Sequence, residues 1–349
     1  GYQFSHPRVR AFIYSAMDEA TKSTVHMAIA EQLKASARPT GGTLVQVAEH
    51  MNAATNPLTL SAEQRQAVAH QNLLAAREML SQNAFQPAYK FCRSGLSLVG
   101  ELPDEPVFVE LCQCAAEAAF YCGDFDQLDR VLEGVQKQTS ALDEVKVRAA
   151  LVQNKLGQAR ALALKGLKNL GYTPVATETG VMTSLRRAAS FSARRPAPNP
   201  APVLQDVRLQ QALRLHGYLL HASYHLGSSG TMNFTEAMLR IAAQHGYCAE
   251  AAFAYAARAV NGISNERIGA ATRDANQARA LAEQFPNDAT SIRATTLLSG
   301  LVDPWTGNLD HTLSALTQNQ GRSMAHQDYE FAAVASAFYA TNGLSLIHI

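Results

Sequence analysis

Charge of either sign is scarce in this 349-residue chain. Only 17% of residues are charged, and 30 basic side chains stand against 29 acidic ones, for a net charge of +1. Such a balance projects no long-range field toward nucleic acid or an anionic membrane, which argues against DNA binding. Cysteines number five, an odd count: Cys92, Cys112, Cys114, Cys122 and Cys248. Most lie in Ala-rich helical text, where Cys behaves as a small apolar residue, and nothing resembles a secreted disulfide frame. A reducing cytoplasm is the expected location. No apolar run approaches the ~20 residues of a membrane span, and no signal peptide is visible. Sustained alternation with a period of two is also missing, so no strand is expected beyond a short one at residues 2–4.

What is present is helical spacing over a large apolar content of 47%, enough for a substantial core. Ala69, Leu73, Ala76 and Leu80 lie four, three and four residues apart, on one face of a 3.6-residue period. Phe108, Leu111, Ala115, Ala118 and Cys122 repeat the pattern, as do Phe125, Leu128, Leu132 and Val135, and then Val145, Ala149, Val152 and Leu156. The helices pair across short joints at Ser81-Gln82-Asn83, at Cys122-Gly123-Asp124 and near Leu156-Gly157, with Ala84 standing where the repeat-turn glycine is expected. Glycine frees the backbone from the right-handed region, and Asp124 is placed to cap the following helix. Phe85 and Phe125, each following a turn, are forty residues apart, within the range of a helix-turn-helix solenoid repeat. Small residues at Ala115, Ala116, Ala118 and Ala119 allow close helix approach. The expected fold is all-α: a tetratricopeptide-like α-solenoid of antiparallel helix pairs.

Residues 173–202 interrupt this text. Pro196, Pro198, Pro200 and Pro202 alternate there, removing backbone donors and favouring an extended surface linker. Helical spacing resumes with Leu209, Leu213, Gly217, Leu220 and Tyr224, and further helices are expected near 233–245, 248–261, 266–285, 287–302, 308–320 and 325–342.

These segments carry a family resemblance. The opening text through Leu33, with Phe4, His6, Val9, Tyr14, His26 and Ile29, resembles the end of the ATPase module in large bacterial multidomain signalling kinases. In that family a Ser/Thr-kinase-like domain precedes a predicted ATPase of the AAA/STAND type. A tetratricopeptide-like region follows, then often a GAF domain and a histidine kinase. The triplet His50-Met51-Asn52, the pair of helices at 70–99, the segment 162–174, Pro304-Trp305 and the text at 328–344 resemble later parts of the family in the same order. The resemblance implies a helical, winged-helix-like ATPase end at 1–54, repeats at 55–172, the linker at 173–202 and a second repeat set at 203–343. Residues 344–349 read as a truncated or artefactual end, and the chain as a fragment. Histidines 6, 26 and 50 sit at family-matching positions, where contact with the ATPase core is set against the favoured reading of hydrogen-bonded helix-start histidines.

Candidate chemistry is sparse. Ala20-Thr21-Lys22-Ser23-Thr24 has the Lys-Ser of a phosphate loop but no glycine, and reads as a plain loop before a helix. His216, His221 and His225 form the most suggestive metal cluster, with the last two on one helix face, yet they lack the glutamate of the zinc-protease pattern. Cys112 and Cys114 point about 200° apart on a helix and read as core. Arg187 and Ser190 fit a basophilic phosphosite loosely, within a solvated stretch that also holds Arg186, Ser192, Arg194 and Arg195. Trp305 is expected to pack between helices. No catalytic, cofactor-binding or metal residue is assigned. ATP and magnesium are expected upstream, in the parent protein. The expectation is a non-catalytic regulatory segment that takes a protein or small-molecule effector in a concave groove and contacts the parent's ATPase and kinase domains. Neither nucleic acid nor a membrane span enters that expectation. The alternatives are a direct catalytic contribution to an ATP-dependent kinase, or a free-standing scaffold.

Overall fold

The computed structural model describes residues 7–35, 40–54, 60–100, 106–133, 140–172, 198, 200–228, 230–307 and 309–347. Among these, seventeen helices and one isolated bridge account for all the regular structure. The chain forms two compact units, Gly1–Val145 and Lys146–Ile349. The expected strand at 2–4, His6, and the Arg/Ser-rich stretch of the linker lie outside the described residues.

The first unit begins with α1 (Pro7–Ala16), α2 (Glu19–Lys34) and α3 (Gly41–Ala54). Two helical hairpins follow: α4 (Ala62–Ser81) with α5 (Phe85–Val99), and α6 (Pro106–Tyr121) with α7 (Phe125–Glu133). Side chains cap the starts of α2 and α4. Asp18 Oδ1 accepts from the Thr21 amide at 2.7 Å to open α2, and Ser61 with Gln64 makes a reciprocal capping box for α4. The periodic residues read from the sequence fill the core: Leu73, Leu111 and Leu128 are fully buried, and Ala115, Ala116, Ala118 and Ala119 are buried with them. Each buried leucine contributes roughly 1.5–3 kcal/mol. Phe85, the first residue of α5, stacks on Tyr121 at the end of α6 at 4.6 Å between ring centroids.

The second unit contains α8 (Ser140–Val152) from Lys146 onward, α9 (Leu156–Asn169), α10 (Val207–His225), α11 (Thr231–His245), α12 (Ala249–Ser264) and α13 (Ile268–Gln284). It continues through α14 (Ala289–Leu301), the single-turn α15 (Asp303–Thr306), α16 (Leu309–Ala325) and α17 (Tyr329–Ile347). Met238, Leu213 and Leu298 centre one apolar cluster and Leu167, Leu215 and Leu219 another. The end of the Pro-rich stretch is anchored here. Ala201 and Leu204 are buried, the Gln284 side chain bonds both backbone groups of Ala201, and Tyr247 exchanges backbone bonds with Pro202 and Leu204. Arg258 of α12 is buried and grips Asp274 of α13 with two bonds of 2.8 and 2.6 Å.

One device closes seven of the helices. Asn83, Gly123, Asn154, Gly171, Gly227, Glu266 and Gln327 adopt left-handed φ values between 56° and 85°. In every case that residue's amide donates to the carbonyl three residues back, and the next amide donates to the carbonyl five back. These are Schellman closures. In five of them the next helix starts two residues on. The pattern corrects two expectations. The counterpart of Gly123 in the first hairpin is Asn83, not Ala84, whose φ is −89°. The third turn hinges on Asn154, while Gly157 lies inside α9.

Candidate functional site

A groove of ≈ 640 Å³ opens on the first unit, between α4 and the start of α6, with Lys34 at its edge. Glu63, Gln66 and His70 step along one face of α4, Leu73 forms the floor, and Glu110 of α6 stands opposite. One helical turn beyond, Arg77 Nη2 donates to Glu110 Oε2 at 2.6 Å and joins the two walls. Gln71 leans away to donate to the Leu44 carbonyl at 3.1 Å, which ties α4 to α3. The volume suits a small molecule or a short peptide segment, and both signs of charge line it.

A second polar assembly joins α1, α2 and α3. The Tyr14 hydroxyl meets His26 Nε2 at 2.9 Å, and His26 Nδ1 meets His50 Nδ1 at 2.8 Å. Two facing ring nitrogens at this distance hold one proton between them. Burial first, and the neighbouring His50 second, hold the His26 pKa below the ordinary imidazole value. Each member of the triplet at 50–52 therefore has its own task. His50 bonds His26, Met51 enters the core, and Asn52 exchanges two amide bonds of 2.8 Å with Asn72. Asn72 is completely buried and also donates to the Val68 carbonyl at 2.9 Å. The reading of His26 and His50 as hydrogen-bonded residues agrees with this geometry, although both sit within helices instead of at their starts. Asn72 carried no signal in the sequence beyond its place on an apolar face.

The remaining sequence candidates separate. Lys22 and Ser23 lie inside α2, not in a loop. Lys22 pairs with Glu19 at 2.7 Å, and Ser23 Oγ donates to the Ala54 carbonyl at 2.6 Å. His216 is buried and bonded to the Ala212 carbonyl of its own helix, edge-on to Tyr172, and burial lowers its pKa. His221 and His225 lie ring against ring at 4.7 Å. His221 Nε2 stands 3.2 Å from Glu330 Oε1, but burial outweighs that carboxylate and lowers the His221 pKa. Among the described residues no three His, Cys, Asp or Glu side chains converge as a metal site. Trp305 departs from expectation: it is 68% exposed, because α15 is one turn long and presents it outward. Gly123-Asp124-Phe125 is a repeat turn, in which Asp124 Oδ1 accepts from the Gln127 amide at 3.0 Å. No described helix is long and apolar enough to cross a membrane.

No protein-family model matches the chain, and no curated protein matches it. Among solved structures, the fold is similar to that of a Signal Transduction ATPase with Numerous Domains (STAND) protein with a tetratricopeptide repeat sensor from Pyrococcus horikoshii. The identity is 14% and the TM-score 0.48, over 98% of this chain and 52% of that one. The chain spans about half the length of that protein.

Proposed function

We propose that the chain is the regulatory, non-catalytic segment of a multidomain signal-transduction ATPase-kinase, and that it couples effector binding to the ATPase and kinase outputs. The groove between α4 and α6 carries this reading. Glu63, Gln66, His70 and Glu110 line it beside the apolar Ala67, Leu73, Pro106 and Val107, and Arg77 ties α4 to α6 through Glu110, an arrangement suited to an effector with both polar and apolar groups. The sequence resemblance at the opening of the chain supports the coupling. The Tyr14–His26–His50 assembly ties α1 to the body of the first unit. On α1, Val9, Phe12 and Ile13 share one exposed face, with Phe12 75% exposed. That face is the proposed contact for the ATPase core, and ATP with magnesium is assigned to that upstream module. The same resemblance supports a cytoplasmic location.

The test uses the longer reading frame that contains this chain. It is expected to encode a glycine-rich phosphate loop upstream. In that protein, His70→Glu on the groove wall and Arg77→Glu, which breaks the tie to Glu110 beside it, should change ATP hydrolysis several-fold while leaving ATP affinity intact. A frame without a phosphate loop, or hydrolysis indifferent to both substitutions, overturns the reading.

A further inference from the structure

His221 and His225 stand one turn apart on one face of α10, the spacing of a helical zinc pair, but the text between them lacks the glutamate of that pattern. The fold brings a carboxylate from another helix. Glu330, in the first turn of α17, places Oε1 3.2 Å from His221 Nε2. Bonds of ~2.0–2.1 Å to a tetrahedral zinc set two of its donors about 3.3 Å apart. This pair therefore already stands at the spacing of neighbouring ligands. The His221 and His225 ring centroids are 4.7 Å apart, against about 5 Å for two imidazoles on one such ion. As the side chains stand, the three donors do not converge on one point. His225 is exposed and is the last residue of α10, so binding asks for a turn of its ring and no movement of the backbone. Arg293 also acts on His221, but its Nε donates to Asp328 Oδ2 at 2.6 Å and it lies over the Phe331 ring at 4.9 Å. The carboxylates of Asp328 and Glu330 thus outnumber the one guanidinium, leaving the sign of charge that suits a cation.

We propose that His221, His225 and Glu330 form a binding site for a divalent transition-metal ion, with zinc the best fit. Two imidazole nitrogens select zinc, copper or nickel over magnesium and calcium, which take oxygen donors. The 3.2 Å spacing of His221 and Glu330 suits a tetrahedral ion better than a square-planar one, whose neighbouring donors stand about 2.8–2.9 Å apart. Three protein donors leave the fourth tetrahedral position to water. The bound ion joins the end of α10 to the start of α17, both within the second unit. Because the donors come from two helices, the ion favours the folded chain over the unfolded one and stabilises it by mass action.

The test strips the full chain of metal with a chelator and titrates it with zinc chloride in competition with a chromophoric chelator. One equivalent should bind, and the thermal unfolding midpoint should rise with zinc concentration. His225→Ala and Glu330→Gln, both at exposed positions, should each weaken binding about tenfold or more and abolish the zinc-dependent rise. Circular dichroism of each variant confirms that the helices persist. His26→Gln, which removes the chain's other close histidine pair, should leave both readouts unchanged. X-ray absorption at the zinc edge should show two imidazoles with oxygen in the remaining positions. Failure to bind zinc, affinity unchanged in His225→Ala or Glu330→Gln, binding lost in His26→Gln instead, or sulfur in the first coordination sphere would each overturn the proposal.

Discussion

His26 and His50 face each other nitrogen to nitrogen, with their Nδ1 atoms 2.8 Å apart, and Tyr14 closes the far side of the His26 ring. The contact survives with one shared proton and breaks when both rings are charged. Because the His26 pKa is depressed in the folded chain, the unfolded chain binds that proton more tightly. Stability from this contact is therefore present above the ordinary imidazole pKa and is lost as pH falls through the depressed value. Hydrogen exchange of α2 and α3, corrected for intrinsic rates, should quicken between pH 7 and about 5. In His26→Gln that pH response should be reduced. An unchanged response in the variant would place its origin elsewhere.

The Asn52–Asn72 exchange sits inside the first unit, with Asn72 completely buried. Truncating one partner strands a buried amide, which costs about 1–3 kcal/mol. Urea titrations of Asn52→Ala, Asn72→Ala and the double variant should show each single change destabilising and the double costing less than their sum. Strict additivity would mean that the two amides do not interact.

Left-handed backbone at Glu266 and Gln327 strains side-chain-bearing residues in a conformation that costs about 1–2 kcal/mol outside glycine. Glu266→Gly should therefore stabilise the chain by about 0.5–1 kcal/mol, and Gly123→Ala should destabilise it by a similar amount. Thermal unfolding of both variants checks the opposite signs.

Glu250, at the first turn of α12, is buried beside Cys248, and burial raises its pKa despite the bond from that thiol. The folded form holds the proton more tightly than the unfolded chain does. Stability is thus fullest below the ordinary carboxylate pKa and drains as pH rises through the elevated folded value. Glu250→Gln, neutral at every pH, should gain stability at neutral pH and flatten the slope of unfolding free energy above about pH 4.5. A variant less stable than the parent at pH 8 would refute the burial argument.

Much of the fold could be read in the chain because apolar periodicity records which face of a helix is buried. Leu73, Leu111 and Leu128 were on periodic stripes and are in the core. Helices α11 to α14 appear where spacing put them, and α16 and α17 extend further toward the C-terminus. Turn register was harder, since any residue can take the left-handed position at a modest cost. Glycine marks it at 123, but Asn83, Asn154, Glu266 and Gln327 give little warning. The close approach at Gly95 was not legible either, because it depends on a neighbouring helix: an added Cβ there would fall 2.8 Å from Leu111 Cδ1. The groove was similarly hidden, because it depends on how far apart α4 and α6 stand along their polar faces.

The seven Schellman joints use main-chain donors and acceptors throughout. A joint built this way makes few demands on side-chain identity, so its geometry is inherited through the spacing of the hairpins. Substitutions along the exposed faces can accumulate while the angle at each corner stays fixed. Adding or removing a complete hairpin would leave the remaining corners unchanged, whereas losing a single residue within one would rotate every buried face after it by about 100°.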